Sequence, residues 1–192
     1  MAITKDDIIT LPNKHLRQQS KKVGSITAEM KRIAADMEAA VRDWDDSRPH
    51  EVTVALAAVQ IDRLYRVVIV RDEFDHKTTA SYSTLINPEI TKYEGTIETD
   101  YEGCLSIKYI YGLVPRHSKI RVKALDLEGK EFRIRAEGFL ARVLQHEIDH
   151  LKGKMFIDHI KNKKQAFYKL TDKGELEQLD YEKDVKNNSI LW

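Results

Sequence analysis

His146-Glu147-Ile148-Asp149-His150 is the stretch on which the reading of this chain turns. It closes a longer segment, EGFLARVLQHEIDHL over residues 137–151. Leu140, Val143, Leu144, Ile148 and Leu151 recur there at three- and four-residue steps, which predicts a helix with one apolar face. Two imidazoles four residues apart then share a side of that helix and can reach a single metal ion. Glu147 lies about a hundred degrees round the helix from them, beside the ion's open position, where a carboxylate can exchange protons with water. The plain alternative is a pair of helical histidines with ordinary hydrogen bonds, so a third ligand has to decide.

Working outward, the longer protease pattern needs a histidine six residues after the second one, and this chain has Phe156 there. His159 comes nine residues on, past the expected helix end, and reads as a surface or structural histidine. A zinc peptidase with a distant glutamate ligand is a competing reading, but it gives Cys104 no role. Residues 102–106 read EGCLS and contain the chain's one cysteine. A thiolate next to Gly103 is a soft, charged ligand on a backbone that other groups can approach closely. The bland reading of Cys104 is a buried apolar filler; the histidine pair favours a Cys104, His146, His150 set with water in the fourth position.

The rest of the chain supplies the frame. At 192 residues it is long enough for one well-buried core. Lys plus Arg total 32 against 31 for Asp plus Glu, and a net charge of +1 gives no global field for DNA or an anionic membrane. No targeting segment or eighteen-residue apolar run is present, so a cytoplasmic protein is expected. Ile26, Met30, Ile33, Met37, Val41 and Trp44 predict an amphipathic N-terminal helix, with Ser25 or Thr27 as cap and Pro49 beyond its end. Val52 to Val59 and Val67 to Val70 read as strands, Leu85-Ile86-Asn87-Pro88 as a strand end running into a turn, and Ile120 to Leu127 with Glu131 to Arg135 as a hairpin around Glu128-Gly129. The class is α+β, with partly antiparallel β-sheets packed around a central metal-binding HExxH helix. Residues 1–160 are expected to form the catalytic domain. Residues 161–192 read as a charged tail in which Phe167, Leu170, Leu176 and Leu179 give a weak helical pattern.

With these motifs in place, the sequence resembles the peptide deformylases. EGCLS at 102–106 and QHEIDHL at 145–151 are two of that family's three motifs, in order, and similarity extends through Leu11-Pro12, Leu16-Arg17, Asn87-Pro88, Leu113-Val114-Pro115-Arg116 and Gly153 to Ile160. The first motif is altered. Thr53-Val54-Ala55-Leu56-Ala57-Ala58-Val59-Gln60 stands where the family has glycines at the first and third positions, and Lys108 replaces a usual proline.

The resemblance implies an enzyme that removes the N-formyl group from the initiator methionine of new polypeptides and releases formate. It implies one divalent transition metal on Cys104, His146 and His150, Fe2+ in the cell and Zn2+ or Ni2+ in isolated protein, which lowers the pKa of a water. Glu147 would move that water's proton to the leaving amine. The Gln60 side-chain amide and the Leu105 backbone N–H would donate to the formyl oxygen as charge grows on it. The peptide would lie as an added strand beside the first motif, which makes Ala55, Leu56, Gly103, Arg116, Arg142 and Val143 the expected substrate-binding residues. Glu102 and Arg121 could form a brace behind the ligands. A monomer is expected, with ribosomal RNA as a candidate partner for Lys161, Lys163, Lys164, Lys169 and Lys173. Replacement of the two glycines also leaves room for a catalytically weak peptide-binding protein.

Overall fold

Valine and isoleucine at every position of residues 67–70 would be unusual in a strand with one wet face, and the structure shows why they occur here. This computed structural model describes residues 3–47, 52–74, 81–171 and 173–192, so Pro49 lies outside the described residues. Strand β2 (Val67–Arg71) is buried throughout, because the sheet it belongs to carries a helix on each face. Its side chains alternate. Val68 and Val70 join Ala55, Ala57 and Leu85 in a cluster under helix α2 (Gly138–His150), whereas Val67 and Ile69 join Leu56 and Ile86 in a cluster under helix α1 (Ala28–Ser47). Helix α1 begins immediately after Thr27 and buries Met30, Ile33, Met37, Val41 and Trp44 in that second cluster.

Among the described residues the sheet has seven strands, in the order β1 (Ala55–Ala57), β2, β3 (Tyr82–Cys104), β4 (Ile107–Leu125), β6 (Phe167–Leu170) and β7 (Leu176–Gln178), with β5 (Glu131–Glu137) also paired to β4 and every one of these strand pairings antiparallel. Strand β1 is only Ala55–Ala57, because the chain then tightens into a 3-10 turn, Ala58–Ile61, in place of the longer expected strand. At Asn87 the expected turn is replaced by a bulge within β3, which runs on as Tyr82–Cys104. Asn87 takes φ 52°, and its side-chain amide bonds both the N–H and the C=O of Val23 at 2.8 Å, acting as a strand partner where the ladder is broken. β3 turns through Leu105-Ser106 into β4 (Ile107–Leu125), and Asp126 to Lys130 then leads into β5 (Glu131–Glu137), with Gly129 at φ 82°.

The C-terminal segment is not helical along its apolar positions. Phe167–Leu170 forms β6 and Leu176–Gln178 forms β7, followed by a short π-helical turn at Tyr181–Val185. The edge of β4 at Ile110 to Gly112 offers backbone groups that need partners, and β6 supplies them. Phe167, Val185 and Leu191 drop into a third cluster with Leu16, Phe156 and Ile160.

Candidate metal centre

Helix α2 supplies two of the three sulfur and nitrogen donors, and the β3–β4 hairpin supplies the other. His146 and His150, one turn apart, bring their Nε2 atoms to 3.2 Å, and Cys104 Sγ at the end of β3 lies 3.3 Å from His150 Nε2. The three donor atoms fall within 4.8 Å of one another, the only such cluster among the described residues. Phe156, at the position where a longer protease motif would place its third histidine, stacks along His146 instead, with centroids 6.2 Å apart.

The donors are held from behind. His146 Nδ1 sits 2.9 Å from Glu102 Oε2, so Nε2 is the nitrogen that faces Cys104 and His150. Arg116 grips Glu102 with two bonds of 2.9 and 3.0 Å and donates through Nη1 to Asp149 Oδ2 at 2.5 Å. Arg142, one turn before His146, donates to Glu102 Oε1 at 2.9 Å, to Val114 O at 2.7 Å and to Glu98 O at 2.8 Å. The brace expected between Glu102 and Arg121 does not form: Arg121 bonds Glu94 across the exposed part of the β3–β4 ladder, at 2.7 and 3.0 Å. Register decides this, because Arg121 lies opposite Lys92 whereas Glu102 lies opposite Gly112. His159 bonds Asp149 at 2.7 Å and serves the charge network behind the centre.

Electrostatics follow from this arrangement. Burial pushes the Glu102 carboxyl up, but the His146 hydrogen bond and the Arg116 guanidinium outweigh it and hold it well below the usual carboxylate range. Burial disfavours charge on His146, yet Cys104 and Glu102 pull its pKa well above normal. The same negative field would draw a cation to the spot. Burial, reinforced by the charge of His146, pushes His150 well below its ordinary value. Burial also pushes Glu147 up to about 7, and its Oε2 is buried without a protein partner.

These groups open onto a cleft of about 440 Å³ between the first-motif strand and the β3–β4 hairpin. Of the residues expected to bind substrate, Ala55, Gly103, Arg142 and Val143 line it, as do Gln60, Leu105 and Glu147. Leu56 and Arg116 are placed elsewhere. Leu56 points to the α1 side because neighbours on a strand face opposite ways, and the Arg116 guanidinium is committed to Glu102 and Asp149 behind the histidines. Gln60 folds back: Oε1 accepts from Ala57 N at 2.9 Å, and Nε2 donates to Ser106 Oγ at 3.2 Å and approaches Cys104 Sγ at 3.6 Å. That pairing sets which end of the amide faces the centre.

The polypeptide deformylase family model matches residues 5–166. The chain belongs to that family. The peptide deformylase of Thermomicrobium roseum is 41% identical over 164 residues, covering 84% of this chain and 89% of that protein. A crystal structure of a peptide deformylase from Synechococcus elongatus in complex with actinonin is similar at a TM-score of 0.73 and 30% identity, covering 85% of this chain and 88% of that one. A Met-Ala-Ser-bound peptide deformylase from Acinetobacter baumannii gives 0.70 and 28%, covering 83% and 100%. The enzyme is therefore a hydrolase that removes the formyl group from nascent polypeptides. The family is metal-dependent, and Cys104, His146 and His150 form a group that could hold a metal ion.

Sequence reading missed Arg142 as a tie between helix and hairpin, Ser106 as the partner of Gln60, and Asp149 as the partner of Arg116 and His159. Its position four residues before His146 was the available signal for Arg142, since that places both on one helix face.

Proposed function

We propose that Cys104 Sγ, His146 Nε2 and His150 Nε2 hold one divalent transition metal ion, ferrous in the cell and replaceable by zinc or nickel in isolated protein. Convergence of those atoms within 4.8 Å carries this reading. A thiolate with two imidazoles suits such ions, and the field that raises His146 favours a cation. When bound, the ion supplies Lewis acidity to a water and to the formyl carbonyl.

The chain's own residues do the rest. Glu147 Oε2, buried and without a protein partner, takes a proton from the attacking water and delivers it to the leaving amine. In the metal-free centre burial raises this carboxyl to about 7, and the same apolar surroundings favour the protonated form that Glu147 reaches on taking the proton. Gln60 Nε2 and the Leu105 backbone N–H donate to the formyl oxygen as it gains charge, and one such donor contributes about 3 kcal/mol. The N-formylmethionyl peptide lies beside β1, the edge strand of the sheet, between Ala55 and Gly103, with Arg142 and Val143 beneath it. The Met-Ala-Ser bound to the Acinetobacter relative supports a short methionyl peptide as the ligand. The Thr53 backbone, just before β1, is fixed within the protein: Asp45 accepts from its N–H at 2.7 Å and Arg71 donates to its C=O at 3.2 Å.

The same reading takes residues 1–160 as the catalytic domain of a cytoplasmic monomer, with residues 161–192 extending its sheet through β6 and β7. No helix among the described residues is long and apolar enough to cross a membrane. Ribosome contact would fall to the exposed Lys163, Lys169 and Lys173, because Lys164 pairs with Glu182 and Lys161 lies over the Trp192 ring.

The test is formate release from formyl-Met-Ala-Ser by wild type and Glu147→Gln, with metal content measured on both. The expected result is about one ion per chain in each protein, with turnover reduced about a hundredfold or more in the variant. Equal turnover would remove Glu147 from the proton transfer, and loss of the ion would make Glu147 a ligand instead.

A further inference from the structure

Strand β6 begins at Phe167, one residue beyond the family match, and yet its last residue reaches the substrate cleft. β6 pairs antiparallel with β4 through Gly112↔Phe167, Tyr111↔Tyr168 and Ile110↔Lys169, so Leu170 comes to lie across from Tyr109. Three residues of β4, Lys108 to Ile110, form a bulge there, between the Cys104↔Ile107 and Gly103↔Tyr111 pairs. Tyr109 takes φ 64°, a left-handed conformation unfavourable for an aromatic residue, and is 54% exposed. Leu170 and Tyr109 line the cleft together, with Lys108 and Tyr101 beside them. The Tyr168 ring meets the Tyr101 ring edge-on at 5.0 Å, which ties β6 to the opposite strand of the hairpin. β6 also backs Tyr111, whose ring packs so closely on Gly103 that an added Cβ would stand 2.6 Å from it.

We propose that β6 completes the substrate cleft and that Leu170, with Tyr109, forms an apolar contact for a side chain two or three residues after the formylmethionine. This rests on the placement of the reaction at Cys104, His146 and His150 given above. The position follows from strand geometry. Leu170 lies one strand over and about two residues along from the Cys104↔Ile107 pair, roughly 10 Å from the reacting atoms, and a strand rises about 3.3 Å per residue. Leu170 is therefore too far away to touch the formyl group and within reach of the peptide that follows it. A half-buried leucine beside an exposed tyrosine discriminates by apolar area, which favours a large apolar or aromatic side chain over alanine.

The experiment compares kcat/KM for formyl-Met-Ala-X and formyl-Met-Ala-Ala-X, with X alanine or phenylalanine, together with the short peptide formyl-Met-Ala. Wild type is expected to prefer phenylalanine at one of the two positions. Leu170→Ala should reduce that preference about fivefold, mainly through KM, and Leu170→Met should restore most of it. An unchanged phenylalanine-to-alanine ratio at both positions would overturn the proposal. So would an equal loss on every peptide including formyl-Met-Ala, because that would make Leu170 a fold residue only. Failure of metal-loaded wild type to release formate even from formyl-Met-Ala would instead sink the site assignment on which the inference rests.

Discussion

Replacing Arg142 with methionine should separate the two halves of the metal centre more than it unfolds the protein. The guanidinium ties helix α2, which carries His146, Glu147 and His150, to the hairpin that carries Cys104, through Glu102 Oε1 at 2.9 Å, Val114 O at 2.7 Å and Glu98 O at 2.8 Å. Arg142 is 7% exposed and Glu102 6%, so water replaces these bonds poorly. Breaking a buried pair from one side costs about 3–5 kcal/mol. Glu102 would keep both bonds from Arg116 and the one to His146, which places the expected loss near the lower end, about 3 kcal/mol. That corresponds to a fall of about 6–12 °C in melting temperature for a chain of this size. Metal affinity should drop by about 10- to 100-fold, the usual effect of removing a group that orients a ligand. Urea unfolding of the metal-free protein gives the first quantity, and competition with a chelator gives the second. Arg142→Lys, which can keep one bond, should fall between. A loss of stability below about 1 kcal/mol together with unchanged chelator competition would refute the tie.

His150→Ala should lose most of the bound metal, checked by metal analysis, and full retention would remove His150 from the ligand set. Burial raises the Asp149 carboxyl, but the His159 hydrogen bond and Arg116 hold it at about 2. A depressed carboxylate stabilises the fold above its unfolded pKa of about 3.9 and loses that contribution as pH falls toward 2. Metal-free wild type should therefore lose roughly 2 kcal/mol more than Asp149→Asn between pH 5 and pH 2, by urea unfolding. Thr53→Gly with Ala55→Gly should raise turnover of short formyl peptides if the added side-chain carbons crowd the incoming strand; unchanged or lower turnover in a stable, metal-loaded variant would show that the Asp45 and Arg71 contacts already set the backbone correctly.

Periodicity and spacing are local properties, and what they determine was readable from the residues. A histidine pair at i and i+4 shares a helix face wherever that helix packs, and the apolar repeat from Met30 to Trp44 buries one side of α1. The hairpin at Glu128-Gly129 is equally local. The long β3–β4 ladder escaped because residues 91–101 are mostly exposed and carry no alternating apolar signal; they pair because each strand supplies the other's backbone partners. Asn87 reads as a turn residue, and only Val23, 64 positions away, makes it a bulge within a continuing strand. Charge is allocated in the same way. Arg116, Arg121 and Arg142 look alike in the sequence, but register and burial send two of them to Glu102 and one to Glu94. The first-motif strand divides Ala55 from Leu56 because helices cover both faces of the sheet, so one residue lines the cleft and its neighbour packs under α1. The segment after Ile160 has too few apolar residues to announce a structure; the open edge of β4 turned it into strand and brought Leu170 to the cleft.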